Sequence, residues 1–435
     1  MAAPTSAATR STQEIVRPPN GNTPQLIVAL VATILFIALH WRGIPLSPDG
    51  WSYWQAAVSI ANGTGYRNFE GTPILAWPPL YSLFLSAWVS VCGPSGATLV
   101  VANGSLIVVQ ALLWHKTLIT IWKRDVDLLA SWQRSLIALY IGIFVPLTLQ
   151  AALSENLSYI FFAAMTISTW QVISAVDKRD QLIWLSTFVA GATLGLLSHN
   201  IMLAASLACV IVMIRFGRPS TSNFVLIALA TVVPLCFWWC VRRWPGQTHS
   251  HVVDFSASSF DTLQYITQMG FSVGNLIVPN LFGAPTIVSV ALAILLFRDA
   301  SKHDSSQGAR PETFVAMVIL LSCTQILVLF NLTRIADPIG ARFVAWIPIL
   351  LVPALMVRLS KWGPKLYFAL AVIALAPNTH RAVLFSILHP QAYVANQVTV
   401  LFPINAYISP EYLVGPPQQT AQGLLVAPPT KLQVR

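Results

Sequence analysis

Long apolar stretches, separated by short polar or basic turns, dominate the hydrophobic pattern of the chain. A membrane-spanning helix needs about 18 or more predominantly apolar residues, and such runs lie near 24–41, 97–121, 134–152, 157–176, 181–198, 200–215, 222–241, 284–298, 313–333, 343–359 and 365–377. One further run, 80–91, is only about a dozen residues long, which suits an interfacial or re-entrant helix better than a full span. The pattern predicts an all-α polytopic membrane protein with about eleven transmembrane helices.

Composition excludes the soluble globular class. The 435 residues are 55% hydrophobic and only 9% charged, with a mean hydropathy of +0.67, whereas soluble proteins carry roughly 25% charged residues. The five cysteines lie mostly inside apolar runs, which argues against a disulfide framework or a zinc site. We therefore expect no metal and no cofactor.

Basic residues between the runs predict the orientation of the chain. Lys and Arg are concentrated in cytoplasmic loops of membrane proteins, and the connections near 123–134, 178–179, 215–218, 298–310 and 358–365 are basic. These basic connections all fall on the same side of the membrane only if the run 80–91 does not cross it. The predicted organisation is a cytoplasmic tail (1–23), a transmembrane catalytic domain (24–377) and an extracytoplasmic C-terminal tail (378–435). The first outer loop is then 42–79, and the long outer loop is 242–283.

The first outer loop carries the strongest candidate for chemistry. Asp49 lies two residues before the aromatic group Trp51, Tyr53 and Trp54, and such rings favour the membrane–water interface. Helical spacing of apolar residues predicts a short interfacial helix over 51–62. Asp49 is predicted to act as a base that takes a proton from an acceptor hydroxyl. A helix N-cap is the alternative, and it is compatible with that role.

Two further polar positions lie at the predicted outer ends of spans. Glu155 is interpreted either as an acid that binds the acceptor or orients a basic group, or as a first-turn acid favoured by the helix dipole. His199 lies in a short turn and is predicted to hydrogen-bond a phosphate or sugar. A solvated turn histidine is the alternative for that position.

Arginines on the predicted outer side indicate an anionic ligand. Arg334, Asp337 and Arg342 fall in one turn that opens a late span, and guanidinium groups bind phosphate through paired hydrogen bonds. Pairing of Asp337 with one of these arginines is the alternative. Arg242 begins the long outer loop, against the usual charge bias. In that loop, 255–271 is predicted to form an interfacial helix, and His249 and His251 are too weak a signal for a metal site.

The first outer loop resembles the GT-C glycosyltransferases, especially the protein mannosyltransferase and lipid A aminoarabinose transferase group. The similar motifs are the aspartate after the first span, Tyr53-Trp54-Gln55-Ala56-Ala57, Gly63-Thr64-Gly65-Tyr66 and Trp77-Pro78-Pro79-Leu80-Tyr81. The resemblance implies a helical membrane core with outer-face juxtamembrane helices, and sugar transfer from a polyprenyl-phosphate donor. It also implies that Asp49 matches the catalytic aspartate, Glu155 the second-loop acid and Arg342 the donor-phosphate region.

The chain departs from the family at two positions of that loop. Gly50 follows the aspartate where many members have glutamate, and Trp77 precedes the two prolines where many have lysine. These departures bear on which groups contact the phosphate and which sugar is bound.

The sequence hypothesis is therefore a membrane glycosyltransferase of the bacterial inner membrane, with its active site on the extracytoplasmic face. Its predicted partners are a polyprenyl-phosphate sugar donor, membrane lipid and a glycan, lipid or protein acceptor, but no nucleic acid. Tyr53 and Trp54 are expected to contact substrate, and Arg342, with Arg242 or His199, to stabilise the departing phosphate. A secondary transporter, which would predict inverted repeats, and a non-catalytic lipid-binding relative are the alternatives.

Overall fold

The structure is a computed structural model that describes most of the first 360 residues. The described residues are scattered positions in 225–236 and 363–372, three short strands after 405, and the continuous ranges 23–40, 44–46, 48–74, 77–148, 153–217, 262–278, 284–301, 310–333 and 341–360.

Almost all of this part is helical. The helices in chain order are α1 (Thr23–His40), α2 (Pro48–Ala61), α3 (Leu80–Cys92), α4 (Gly96–Ile121), α5 (Lys123–Asp127), α6 (Ser131–Thr148), α7 (Glu155–Ser174), α8 (Lys178–Ser198), α9 (Met202–Gly217), α10 (Thr262–Ile277), α11 (Ala284–Ser301), α12 (Pro311–Thr333), α13 (Ala341–Val344) and α14 (Trp346–Leu359). The strands are β1 (Ile44–Leu46), β2 (Ala406–Ile408), β3 (Gln418–Gln419) and β4 (Leu425–Val426).

Six of the described helices are long and apolar enough to cross a membrane, namely α1, α4, α7, α8, α11 and α12. The helices α3, α9 and α14 are shorter and apolar. The prediction of an all-α polytopic membrane protein is confirmed, with the short strands as a small addition. A helix lies at every predicted run except 222–241 and 365–377, where only scattered positions are described. The count of eleven spans stays a prediction.

Helix α7 is the central element of the bundle. It packs against α4, α8 and α9, while α1 packs against α4 and α6. Phe162 of α7 lies between two tryptophans, with ring centroids 5.8 Å from Trp114 of α4 and 4.8 Å from Trp346 of α14, both edge-on. Burial of such rings, together with their edge-to-face geometry, is a large apolar contribution to stability. This packing fixes the position of the N-terminus of α7, where Glu155 begins the helix.

The first outer loop folds as the sequence predicts. The interfacial helix expected over 51–62 is α2, which begins three residues earlier and packs against α3. Gly63 and Gly65 follow it with φ of 76° and 90°, values that L-residues with a side chain rarely adopt. The Tyr66 hydroxyl then donates to the backbone oxygen of Trp77 at 2.9 Å. The loop is therefore closed on itself beside α2.

Two other predicted elements lie near their expected places. The helix expected over 255–271 is α10, which begins at Thr262, and residues 255–261 lie outside the described part. The strand β2, in the C-terminal tail, pairs antiparallel with β1, so that Tyr407 lies opposite Pro45. Because β1 directly precedes α2, this pairing places a segment of the tail beside the beginning of the first-loop helix.

Candidate active site

A chain of buried hydrogen bonds joins the first-loop helix to the start of α7. The Tyr53 hydroxyl of α2 donates to the Ser154 hydroxyl at 3.0 Å, across 101 residues of sequence. Ser154 in turn donates to Oε2 of Glu155 at 3.4 Å. All three side chains are buried. The Glu155 carboxylate therefore lies where α2 meets the start of α7. It is held by Ser154, which is held in turn by Tyr53.

Tyr53 is itself held firmly from the other side. The Ser82 hydroxyl of α3 donates to its backbone oxygen at 3.1 Å. The ring of Tyr81 lies edge-on at 5.2 Å from the Tyr53 ring, and the ring of Trp77 is tilted against it at 6.2 Å. Such contacts restrict the rotamer of the Tyr53 side chain and direct its hydroxyl towards Ser154.

Both candidate acids act electrostatically on the Tyr53 hydroxyl. Burial raises the pKa of Tyr53 well above its usual value, and the neighbouring Tyr66, Glu155 and Asp49 raise it further. Each of these causes disfavours the phenolate, so the phenol stays protonated and remains a donor.

Asp49 lies in the first turn of α2. It precedes Tyr53 by four residues, the spacing that places two side chains on one helix face. The side chain is half-buried. The helix dipole also stabilises a negative charge in the first turn. Stabilising the start of the helix and acting as a base are therefore compatible roles for Asp49, as the sequence indicates.

Glu155 and His199, predicted separately, come together. His199 Nε2 lies 3.7 Å from Glu155 Oε1, and the two side chains are 17% and 2% exposed. His199 therefore lies beside a buried carboxylate, and its contact with a phosphate or sugar stays a prediction. A buried carboxylate is costly unless it has partners, and Ser154 and His199 each lie beside one of its oxygens.

His199 occupies a defined position at the end of α8. Its backbone N–H donates to the carbonyl of Gly195 at 2.9 Å. The ring Nδ1 accepts a hydrogen bond from the backbone N–H of Ile201 at 3.1 Å. The ring is also 6.2 Å from that of Phe343 in α13. The orientation of the imidazole is thus set by three separate elements of the bundle.

The segment predicted to bind phosphate lies partly beyond the described residues. Arg242, Arg334 and Asp337 are outside them, and for Arg342 only the backbone, in α13, is described. Phe343, which follows Arg342, contacts the rings of His199 and Phe330. Helix α13 therefore lies next to the Glu155–His199 pair. Phosphate binding by Arg342 of this helix stays a prediction.

Trp54 occupies a different environment from the one expected. Its side chain is fully buried in the hydrophobic core, at 0% exposure. A buried ring of this kind packs against protein, so its substrate contact stays a prediction that the burial disfavours. Trp51 on the same helix is half-buried, with its ring edge-on to Phe69 at 5.8 Å.

Sequence reasoning missed a second buried polar cluster beside Glu155. Asn103 Oδ1 accepts hydrogen bonds from the Tyr81 hydroxyl at 2.7 Å and from Asn156 Nδ2 at 2.8 Å. Its own Nδ2 donates to the carbonyl of Leu99 at 2.9 Å. The available signal was an asparagine in the middle of an apolar run, because polar residues at membrane depth usually have a structural or functional reason.

Metal binding finds no support among the residues that the structure describes, where no group of three or more His, Cys, Asp or Glu side chains lies together. His249 and His251 of the long outer loop are outside this part.

No protein-family model matches the chain, and no curated protein matches it. Among solved structures, the chain is similar to ArnT from Cupriavidus metallidurans in the apo state, with 14% sequence identity, coverage of 83% of this chain and 76% of that chain, and a TM-score of 0.45. It is also similar to ArnT from that organism bound to undecaprenyl phosphate, with 13% identity, coverage of 85% and 78%, and a TM-score of 0.43. ArnT is an aminoarabinose transferase of the GT-C family, the group that the first outer loop resembles. Both TM-scores are below one half, so the likeness carries no functional conclusion for this chain.

Proposed function

We propose that this protein is a membrane glycosyltransferase that transfers a sugar from a polyprenyl-phosphate-linked donor to an acceptor on the extracytoplasmic face. Asp49 is the proposed catalytic base. One observation carries the proposal: the helix that begins beside Asp49 is joined through the buried Tyr53 and Ser154 hydroxyls to Glu155, whose other carboxylate oxygen lies 3.7 Å from His199 Nε2. A buried carboxylate such as Glu155 at the end of an apolar helix bundle is expensive to place there without a role.

The chemistry that suits this arrangement is a displacement at the anomeric carbon. The bond between that carbon and the donor phosphate oxygen breaks, and a bond to the acceptor oxygen forms. Asp49 takes the acceptor proton, and the polyprenyl phosphate leaves with the bonding electrons and its negative charge. General-base assistance typically contributes about 10²- to 10⁴-fold in rate. Fixed donors and cations that stabilise the leaving phosphate contribute further.

Basic groups for the departing phosphate belong to the segment around α13. Arg342 lies in this short helix, whose Phe343 contacts His199. Glu155 would bind the acceptor or orient that basic group. In this proposal the apolar helices accommodate the polyprenyl chain, and the outer ends of the helices hold its phosphate.

The predicted sidedness supports an extracytoplasmic site. Lys and Arg cluster at the connections opposite to Asp49, Glu155 and His199, as expected for cytoplasmic loops. Polyprenyl-phosphate donors are already activated, which fits the lack of a phosphate-cradling glycine loop in the sequence. A bacterial inner membrane is the location that the resemblance to the GT-C glycosyltransferases implies.

Sugar transfer in proteoliposomes tests the proposal. The chain is reconstituted with radiolabelled polyprenyl-phosphate hexoses and pentoses and with candidate acceptors, and label in the acceptor is measured. Asp49→Asn is expected to reduce transfer by about 10²-fold or more. Asp127→Asn, an exposed aspartate of α5, is the matched control and should keep full activity.

Two outcomes would contradict the proposal. Full activity of Asp49→Asn at matched expression removes Asp49 as the base. Sugar uptake into the liposomes without any acceptor labelling favours the transporter alternative, because a glycosyltransferase must form a new glycosidic bond.

A further inference from the structure

We infer that His199 is a positioning residue of fixed tautomer, which donates from Nε2 to Glu155 and does not take a proton during the reaction. The inference rests on the proposed function for its activity test, but its tautomer test is independent of that function. It gives a chemical role to a residue for which the sequence left phosphate, sugar or no ligand open.

The hydrogen bond at Nδ1 determines where the ring proton lies. The backbone N–H of Ile201 can only donate, and it lies 3.1 Å from Nδ1. Nδ1 must therefore offer its lone pair, and the neutral ring carries its hydrogen on Nε2. A proton arriving at Nδ1 would have to displace the Ile201 bond. Nε2 already carries one, so neither nitrogen is available as a general base.

The hydrogen on Nε2 faces the carboxylate of Glu155. The distance from Nε2 to Oε1 is 3.7 Å, longer than a formed hydrogen bond but typical of catalytic groups that tighten when substrate binds. The other carboxylate oxygen, Oε2, accepts from Ser154. Ser154, itself held by Tyr53, thus fixes one oxygen, and tightening of the His199 contact would fix the plane of the carboxylate.

The backbone on both sides of His199 holds the ring in place. Its N–H donates to Gly195 in the last turn of α8, and its carbonyl accepts from the N–H of Met202 in α9 at 3.0 Å. The ring packs beside Phe343. A side chain fixed in this way is suited to orienting Glu155, whereas a residue that must swing to carry a proton would need freedom.

Two amide substitutions separate the roles of the two nitrogens. Glutamine places its amide near the position of Nε2 and can donate to Glu155. Asparagine places its amide near Nδ1, where it can accept the hydrogen bond from Ile201 but cannot donate to Glu155. We expect His199→Gln to keep kcat/KM within about threefold of the original, and His199→Asn to lose about ten- to a hundredfold, the usual effect of losing a hydrogen bond to a charged group.

A merely structural role predicts the opposite ranking, because the Ile201 amide, buried in the turn between α8 and α9, would be satisfied only by asparagine. Equal activity of the two variants, or a better His199→Asn, would therefore overturn the inference. The double variant His199→Asn with Glu155→Gln should be no worse than Glu155→Gln alone, because His199 acts through Glu155. Additive losses would also contradict it.

Nitrogen NMR tests the tautomer without any activity measurement. In the full-length protein with ¹⁵N-labelled histidine, the His199 signals are identified by their loss in His199→Gln. We expect a protonated Nε2 and an unprotonated Nδ1. The reverse pattern would overturn the inference even if transfer is observed, whereas the expected pattern in a protein without transfer activity would indicate that only the proposed function has failed.

Discussion

The Tyr53 hydroxyl lies 3.0 Å from the Ser154 hydroxyl and donates to it. This bond joins a helix of the first outer loop to the first residues of the central span, and it is inaccessible to solvent at both ends. Because Ser154 then donates to Glu155, the phenol controls the carboxylate from a distance. The consequence is that a substitution in α2 should alter chemistry at α7.

Tyr53→Phe should separate this control from simple packing. The ring contacts with Trp77 and Tyr81 are retained, and only the donor to Ser154 is lost. We expect about 1 kcal/mol loss of unfolding free energy and at least a tenfold loss of transfer, because the Glu155 carboxylate is no longer fixed. Both are measured in detergent, by SDS titration and by the radiolabel assay.

Tyr140→Phe is the matched control for this substitution. The Tyr140 hydroxyl is also buried and donates to the carbonyl of Pro348 at 3.4 Å, but it lies between α6 and α14. It should show a comparable or smaller loss of stability with unchanged transfer per folded molecule. Equal loss of transfer in the two variants would mean that the Tyr53 hydroxyl contributes to packing alone.

Asn103→Leu tests the buried amide cluster beside the acid. The leucine matches asparagine in size but leaves the Tyr81 hydroxyl and the Asn156 amide without their shared acceptor. Each buried polar group that loses its partner costs about 1–3 kcal/mol, so we expect about 2–6 kcal/mol of destabilisation, measured by SDS titration. Adding Tyr81→Phe removes one of the stranded groups and should restore part of that loss.

The two residues are not coupled if their losses of unfolding free energy add. In that case the double variant would be less stable than Asn103→Leu by the full loss that Tyr81→Phe causes alone. Ser105→Ala, on the same helix with its hydroxyl bonded only locally to Ala102, is the control for a polar substitution in α4. It is expected to change stability by less than about 1 kcal/mol.

The sequence predicts the helices and the first-loop helix well, because apolar length and helical spacing are local properties. It also predicts that Glu155 and His199 lie at one end, since α7 and α8 are joined by a short turn and must run antiparallel. It could not predict that the two side chains meet, because the His199 ring is oriented by Ile201 and by Phe343 of a distant helix. Trp54 shows the same limit: an aromatic residue in an interfacial helix can face substrate or core, and only tertiary packing decides which.

The pairing of β1 with β2 predicts a role for the C-terminal tail. The strand Ala406–Ile408 is hydrogen-bonded to Ile44–Leu46, immediately before the helix that carries Asp49. A chain that ends after residue 400 loses this strand, and we expect at least a threefold loss of transfer because the start of α2 is less fixed. A chain that ends after residue 410 keeps β2 but loses β3 and β4, and it should retain full activity. Equal activity of all three lengths would show that the pairing does not support the site.

A part-buried ion pair at the far ends of three helices gives a prediction about stability alone. Arg358 of α14 forms an ion pair with Asp299 of α11, and Thr313 of α12 donates to the backbone oxygen of Asp299 at 3.1 Å. Asp299 is 7% exposed. Arg358→Met removes the guanidinium from a buried carboxylate, which costs up to about 3–5 kcal/mol, whereas replacing both partners by neutral groups costs less.

We therefore expect the double variant Asp299→Asn with Arg358→Met to be more stable to SDS than Arg358→Met alone. Arg298, whose Nε lies 3.9 Å from Asp299 but whose side chain is 56% exposed, is the control, because an exposed partner contributes less than about 1 kcal/mol. Arg298→Met should accordingly change stability little. Transfer per folded molecule should stay the same in all of these variants, since the ion pair lies away from Asp49, Glu155 and His199. If instead the double variant is the least stable of the set, the attraction between Arg358 and Asp299 exceeds the cost of their desolvation. The packing of the three helix ends would then depend on this ion pair.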